Sequence, residues 1–318
     1  MSTARNIPND RGLSLRMFTT GLMLVVLYAV VVGVLIAVGI DYVLVLVIAG
    51  ALLFSQYWFS DKIALYGMGG RIVTPEQAPE LHGAIDRLCA MADMKKPRVA
   101  VANTDVPNAF ATGRSPKNAV VCATSGLMRR LDESELEAVL AHELSHVAHR
   151  DVAVMTIASF LGMAAGLVTR MMLWTGLMGG MGGMGGMGGG NRGNNNQGGD
   201  QAVLIEMAVL VVSIVVYAIS FLLTMALSRY RELAADRSGA ILTGQPSALA
   251  SALVKVSGDI GRIPSRDLRS TETFNAFYFT PAINKKGVSI STIFSTHPSL
   301  DQRLAQLATL EAEMGRPS

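Results

Sequence analysis

Four long apolar runs, at residues 17–38, 42–59, 152–169 and 202–227, constrain this chain before any other feature does. An α-helix needs about 20 apolar residues to cross the roughly 30 Å hydrocarbon layer of a bilayer, so each run is an expected span. The first follows Arg5, Arg11 and Arg16 and lacks a small-residue cleavage site, so it is expected to remain as a span and not to be removed as a signal peptide. A tight reversal at Gly39, Ile40 and Asp41 leads to the second, which closes on the interfacial pair Tyr57 and Trp58. Between the last two lies a Gly- and Met-rich tract, 176–200, that cannot bury a core and is expected to be a flexible loop.

The division that follows is a basic arm (1–16), a transmembrane hairpin (17–59), a soluble segment (60–151), a second hairpin (152–228) and a soluble tail (229–318). Half of the residues are hydrophobic and only 16% charged, which suits a membrane protein. Lys and Arg concentrate in the arm and the two soluble segments, whereas Arg192 alone stands in the loops between paired spans. The positive-inside rule therefore places both termini and the soluble parts in the cytoplasm. A net charge of +3 without a dense basic, aromatic-interleaved run argues against a nucleic-acid partner. No GxxxxGK loop is present, so no nucleotide partner is expected. Cys89 and Cys122 lack metal-ligand spacing and read as reduced packing residues.

The chemistry lies in 132–151, DESELEAVLAHELSHVAHRD. Asp132 and Glu135 have capping-box spacing, and Leu136, Val139 and Leu140 form a helical apolar stripe. His142 and His146, four apart, share one helix face and can reach one metal ion. Glu143 is placed to act as a general base toward water at that ion. Upstream, 75–94 reads as a helix, and 97–103, 109–112 and 119–123 read as strands of a small meander. Downstream, helices are expected near 246–260 and 299–314.

A catalytic zinc usually takes three protein ligands, and two histidines leave it one short. Position 152 is Val, so a third histidine six residues past His146 is excluded. In SRYRELAAD, residues 228–236, Glu232 and Asp236 stand one turn apart on one face, and such a glutamate on a later helix is a known solution.

AHELSHVAHRD, SRYRELAADRSGA and THPSLDQRL together resemble the HtpX family of bacterial membrane zinc metalloproteases, relatives of the eukaryotic CAAX prenyl protease. The resemblance implies a mainly α integral membrane protein: four transmembrane helices and a cytoplasmic, zincin-like α+β metalloprotease domain with a small β-sheet. It implies one zinc held by His142, His146 and Glu232, with Asp236 orienting a ligating histidine and Glu143 as the base. His297 matches the family's late histidine and is expected to stabilise the oxyanion, with Arg303 a weaker candidate nearby. Asn108, Ala109 and Phe110 resemble the strand that binds an extended substrate through its main chain; Phe110 is equally readable as a core side chain. His82 and His149 have no motif partner and read as surface or packing residues.

The implied activity is hydrolysis of misfolded or unassembled membrane proteins at the bacterial inner membrane, under stress and without ATP. One alternative is a processing protease with a defined substrate, similar to the CAAX prenyl enzyme. The alternative from another class is a transporter or metal-binding scaffold, suggested by four spans and the Met-rich tract; paired charges deep in the spans and inverted repeats, which it would require, are absent from the sequence.

Overall fold

The computed structural model describes residues 11–38, 42–182, 196–260 and 297–315. The expected reversal at Gly39–Asp41, the centre of the Gly/Met tract and the Ser/Thr-rich stretch before His297 lie outside them. In chain order the helices are α1 (Arg11–Val38), α2 (Tyr42–Trp58), α3 (Ser60–Gly67), α4 (Pro79–Met91), α5 (Ser125–Arg130), α6 (Glu133–Ala148), α7 (Asp151–Gly182), α8 (Asn196–Thr243), α9 (Pro246–Ile260) and α10 (Leu300–Met314). The strands are β1 (Gly70–Ile72), β2 (Arg98–Ala102), β3 (Ala109–Thr112) and β4 (Val120–Thr124). The chain divides into two compact units, one of Gly21–Leu53 with Ile157–Thr224 and one of Met1–Thr20, Phe54–Thr156 and Met225–Ser318.

The first of these units is helical. The Tyr28 ring stacks on Phe160 at 5.8 Å between centroids, and its hydroxyl donates to the Ile157 carbonyl at 2.8 Å. Gly162 and Gly166 of α7 face Ser220 and Tyr217 of α8. Val25, Val26, Val211, Val212, Ile214 and Val215 are exposed, an apolar exterior suited to lipid. Among the described residues two stretches, Gly12–Val30 and Met207–Thr243, are long and apolar enough to cross a membrane. The other two expected spans are less complete here: α2 has 17 residues, and the apolar stretch described in α7 is Asp151–Phe160. Helices α7 and α8 also reach into the tract at 176–200 from either side.

The second unit is built around a mixed sheet of order β1-β2-β4-β3. The expected meander is corrected: β4 lies between β2, to which it runs parallel, and β3, to which it runs antiparallel. Burial is the reason. All five residues of β4, VVCAT, are buried and favour the middle of the sheet, which leaves the shorter β3 at an edge. Gly113, at φ +125, turns the chain out of β3, where a Cβ would come within 2.5 Å of the Asn118 carbonyl oxygen. The strand β1, opposite Ala100–Ala102, was not evident in the sequence.

Helices cover both sheet faces. Ala64 of α3 packs with Ala100, Phe110, Val120 and Cys122 on one. On the other, Leu81, Ile85 and Leu88 of α4 meet Val99, Val121, Leu140 and Leu144. A third cluster joins Ala138 and Val139 of α6 to Leu249, Leu253 and Val256 of α9 and Leu307 and Leu310 of α10. Helix α4 starts with Pro79 at its first turn, four residues later than the sequence suggested. His82 is buried, with Nε2 at 3.1 Å from the Val73 carbonyl; both cysteines are buried and free.

Candidate metal centre

Helix α6 starts as its sequence dictates. The Glu135 N–H donates to Asp132 at 2.9 Å and the Asp132 N–H to Glu135 at 3.0 Å, closing the capping box. The Glu135 carboxylate also accepts from Ser251 at 2.6 Å and Lys255 at 2.7 Å, which ties the start of α6 to α9. Leu140 and Leu144 commit one side of α6 to the core under the sheet, and the face that begins at Val139 continues at its i+3, i+4 and i+7 positions as His142, Glu143 and His146. His142 and Glu143 are buried, His142 at 1% exposure, and His146 is partly exposed, its side chain at 15%.

The polar end of α8, beyond Ser228, supplies the other half. Glu232 and Asp236 point at the histidines, and the ligand atoms of His142, His146 and Glu232 lie within 4.8 Å of one another. The two Nε2 atoms are 3.1 Å apart; His146 Nε2 is 3.3 Å from Glu232 Oε1, and His142 Nε2 is 3.9 Å from Oε2. Donors about 2.0–2.2 Å from a tetrahedral ion stand roughly 3.3–3.6 Å from each other, so the triad fits a small divalent cation.

Each imidazole is fixed from behind. His142 Nδ1 is 2.8 Å from Asp236 Oδ1, and His146 Nδ1 is 2.5 Å from Asp151 Oδ2. With Nδ1 so occupied, each ring turns Nε2 to the cation position. Arg303 donates through Nε and Nη2 to the two Asp236 oxygens, at 2.7 and 2.6 Å, while its Nη1 stands 4.0 Å from Glu232. Arg231 donates to the Asp151 carbonyl at 2.8 Å and also pairs with the Asp151 carboxylate. His297 places Nδ1 2.9 Å from Glu232 Oε2. His149, the C-cap of α6, is exposed.

The electrostatics follow from burial in opposition to these pairs. Burial raises the Glu143 carboxyl to about 8, against the pull of His146. Burial would also raise Glu232, but His297 and His146 outweigh it and hold the carboxyl well below the usual range. For Asp236 burial is overcome by Arg303 and His142, and its pKa is lowered. Burial lowers His142 despite Asp236; at His146 the bond to Glu232 overcomes burial and raises the pKa.

Asn108, Ala109 and Phe110 are all buried. Asn108 exchanges main-chain bonds with Thr124, through its Oγ1 and its N–H, at 2.9 Å each. The Phe110 side chain packs in the cluster beneath the sheet. In the antiparallel alternation that leaves Ala109 and Ala111 with main-chain groups turned outward. Sequence reasoning did not single out Asp151 or Arg231. Asp151 reaches His146 only because Arg150 takes φ +56, a left-handed turn between α6 and α7 that spacing alone does not reveal.

Comparison with known proteins agrees with this geometry. The family Peptidase family M48 matches residues 75–311. The chain is 56% identical over 96% of its length, and 95% of the relative's, to a Streptomyces coelicolor protein named "Protease HtpX homolog 1". It is 50% identical to "Protease HtpX homolog" of Moorella thermoacetica, over 98% of both chains. Among solved structures, Ste24p of S. mikatae aligns with 94% of this chain and 66% of its own, at 15% identity and a TM-score of 0.49, too loose a likeness to carry an argument.

Proposed function

Since this chain belongs to peptidase family M48 and is a metalloendopeptidase with HtpX proteases as its relatives, we propose that it is a zinc enzyme with its metal on His142, His146 and Glu232. One observation carries this reading: donors from α6 and α8, far apart in sequence, meet at 3.1, 3.3 and 3.9 Å, near the edge lengths of a single coordination tetrahedron. Two imidazoles and one carboxylate with a further position for water suit zinc better than calcium or magnesium.

Zinc bound there would supply Lewis acidity, polarising a peptide carbonyl and making water a stronger acid. Glu143 Oε takes the proton of the attacking water and returns it to the leaving amine. Its buried setting keeps the proton from escaping to solvent, and the positive charge of a bound ion works against the burial that raises its pKa. Asp236 holds His142 in the tautomer that leaves Nε2 as a donor to the metal. His297, beside Glu232, is assigned to the developing oxyanion. The edge strand β3, in the stretch of Asn108, Ala109 and Phe110, binds an extended substrate through the outward main-chain groups of Ala109 and Ala111, which favour no particular side chain.

Such sequence-tolerant binding supports ATP-independent quality control of misfolded or unassembled membrane proteins under stress, in keeping with the HtpX relatives. Four spans, the two hairpins at 17–59 and 152–228, would set the chain in a bacterial inner membrane with its protease segments, 60–151 and 229–318, on the cytoplasmic side. The apolar helices and the distribution of Lys and Arg support that placement. The test is digestion of an unfolded protein such as casein by the purified full chain in detergent, with chelator and with metal restored. Activity should vanish with chelator and return with zinc. Cleavage indifferent to chelator would refute the metal reading, and a single sharp motif in a peptide-library digest would favour a processing protease.

A further inference from the structure

We propose that Asp151 and Arg231 are a positioning pair for His146 and set the affinity of the metal site, an inference that rests on the metal reading above. His146 Nδ1 is 2.5 Å from Asp151 Oδ2, and its Nε2 is left to face His142 and Glu232. Asp151 is not on the metal helix. It is the first residue of α7, brought back over the end of α6 by Arg150 at φ +56, a conformation that residues other than glycine adopt rarely. A chain that simply continued the helix would carry residue 151 off in another direction.

Arg231 then fixes Asp151 twice, through the main-chain carbonyl at 2.8 Å and through the carboxylate. The two side chains are only 5% and 10% exposed, so the pair is shielded and geometrically restrained, unlike a solvated surface pair. Arg231 directly precedes the ligand Glu232 on α8, so one helix turn both offers a ligand and braces the histidine opposite it.

The same arrangement is built a second time from other elements. His142 is backed by Asp236, and Asp236 by Arg303 of α10. Two imidazoles, each held by a carboxylate that is itself held by a buried arginine, share no residue. A packing accident has no reason to repeat with the same kind of acceptor at the same ring nitrogen. The carboxylate locks the ring plane and the tautomer; the arginine locks the carboxylate and offsets its charge. Partners of this kind are worth about 10–100-fold in metal affinity.

The test is zinc affinity by competition with a chromogenic chelator, plus the visible spectrum of the cobalt-substituted protein, on the full chain in detergent. Asp151→Ala should weaken zinc about 10–100-fold and change the cobalt band positions. Asp151→Asn, which keeps an oxygen for the Nδ1–H, should weaken it less. Arg231→Met should lower affinity and Arg231→Lys should restore part of it, a rescue that lost packing alone would not give. Circular dichroism of each chelator-treated variant checks the fold, and Asp151→Asn decides the matter if Asp151→Ala does not fold. Wild-type affinity and spectrum in Asp151→Asn and Arg231→Met, alongside a His146→Ala control that has lost zinc, would overturn the pair and leave the protease reading standing. A wild-type chain that binds no zinc, or a His146→Ala chain that binds it normally, would overturn both.

Discussion

Gly239 of α8 lies against the main chain of His142: a Cβ added there would stand 2.7 Å from the His142 nitrogen and 3.0 Å from its Cα. Both neighbours are backbone and cannot swing aside. Gly239→Ala should therefore push α8 off α6, costing about 1–3 kcal/mol as overpacking does. Because the same helix carries Glu232 and Asp236, metal content should fall with stability. Elemental analysis and thermal melting of one preparation would show both; an unchanged metal content would mean that the helices can separate without opening the site.

Glu143 to Gln separates chemistry from binding. The substitution keeps the size of the side chain and removes its basicity, and Glu143 is not one of the three residues that converge on the cation position. Peptide hydrolysis should drop by at least about 10²–10⁴-fold, the usual contribution of acid–base catalysis, with zinc content unchanged. Normal turnover in purified Glu143→Gln protein would dismiss it as the base.

Glu135 joins the capping box to α9, and its pKa is lowered: burial alone would raise it, but Lys255, Ser251 and the Asp132 N–H prevail. A depressed folded-state pKa means that the stabilisation is complete above the ordinary value of 4.5 and is lost as pH falls through the folded one. Glu135→Gln should lose about 2 kcal/mol at pH 7, in line with hydrogen bonds to charged groups. Once the pH has fallen through the folded-state pKa the two proteins should melt alike, since there both side chains are neutral. Thermal melts of chelator-treated protein across pH 3–8 give the comparison, with metal release kept out of it; a constant gap would assign the loss to shape and not to charge.

His297 offers a sharper kinetic split. It meets Glu232 at 2.9 Å, and its assigned work is on the transition state. His297→Ala should lower kcat about 10²–10³-fold, as loss of one oxyanion donor does, with KM and zinc content nearly unchanged. Loss of zinc together with kcat would instead make His297 a support for the Glu232 carboxylate.

What the sequence made legible was local. The Asp132–Glu135 cap, the histidines four apart and the helix at Pro246–Ile260 all depend on residues within a turn or two of each other, and they stand where expected. Glu232 and Asp236 were also readable, since one helical turn relates them. The sheet order was not: β4 enters between β2 and β3 because it is apolar on both faces, and which strand takes the centre is decided by the helices that cover the sheet. Asp151 escaped notice because a single left-handed residue, Arg150, redirects the chain, and nothing in HRD announces that turn. Arg303 stands in the neighbourhood expected of it, and its grip on Asp236 was not foreseen. Phe110 turned out to be a core side chain, so that any substrate contact on β3 falls to the backbone.

The residues that make this protein dangerous to other proteins are split between α6 and α8, with all of α7 made in between. A ribosome therefore releases a chain with two imidazoles and no acidic third arm for as long as the intervening helix takes to emerge. The blade stays in two pieces during synthesis, and it is joined only when the end of α8 folds back against α6.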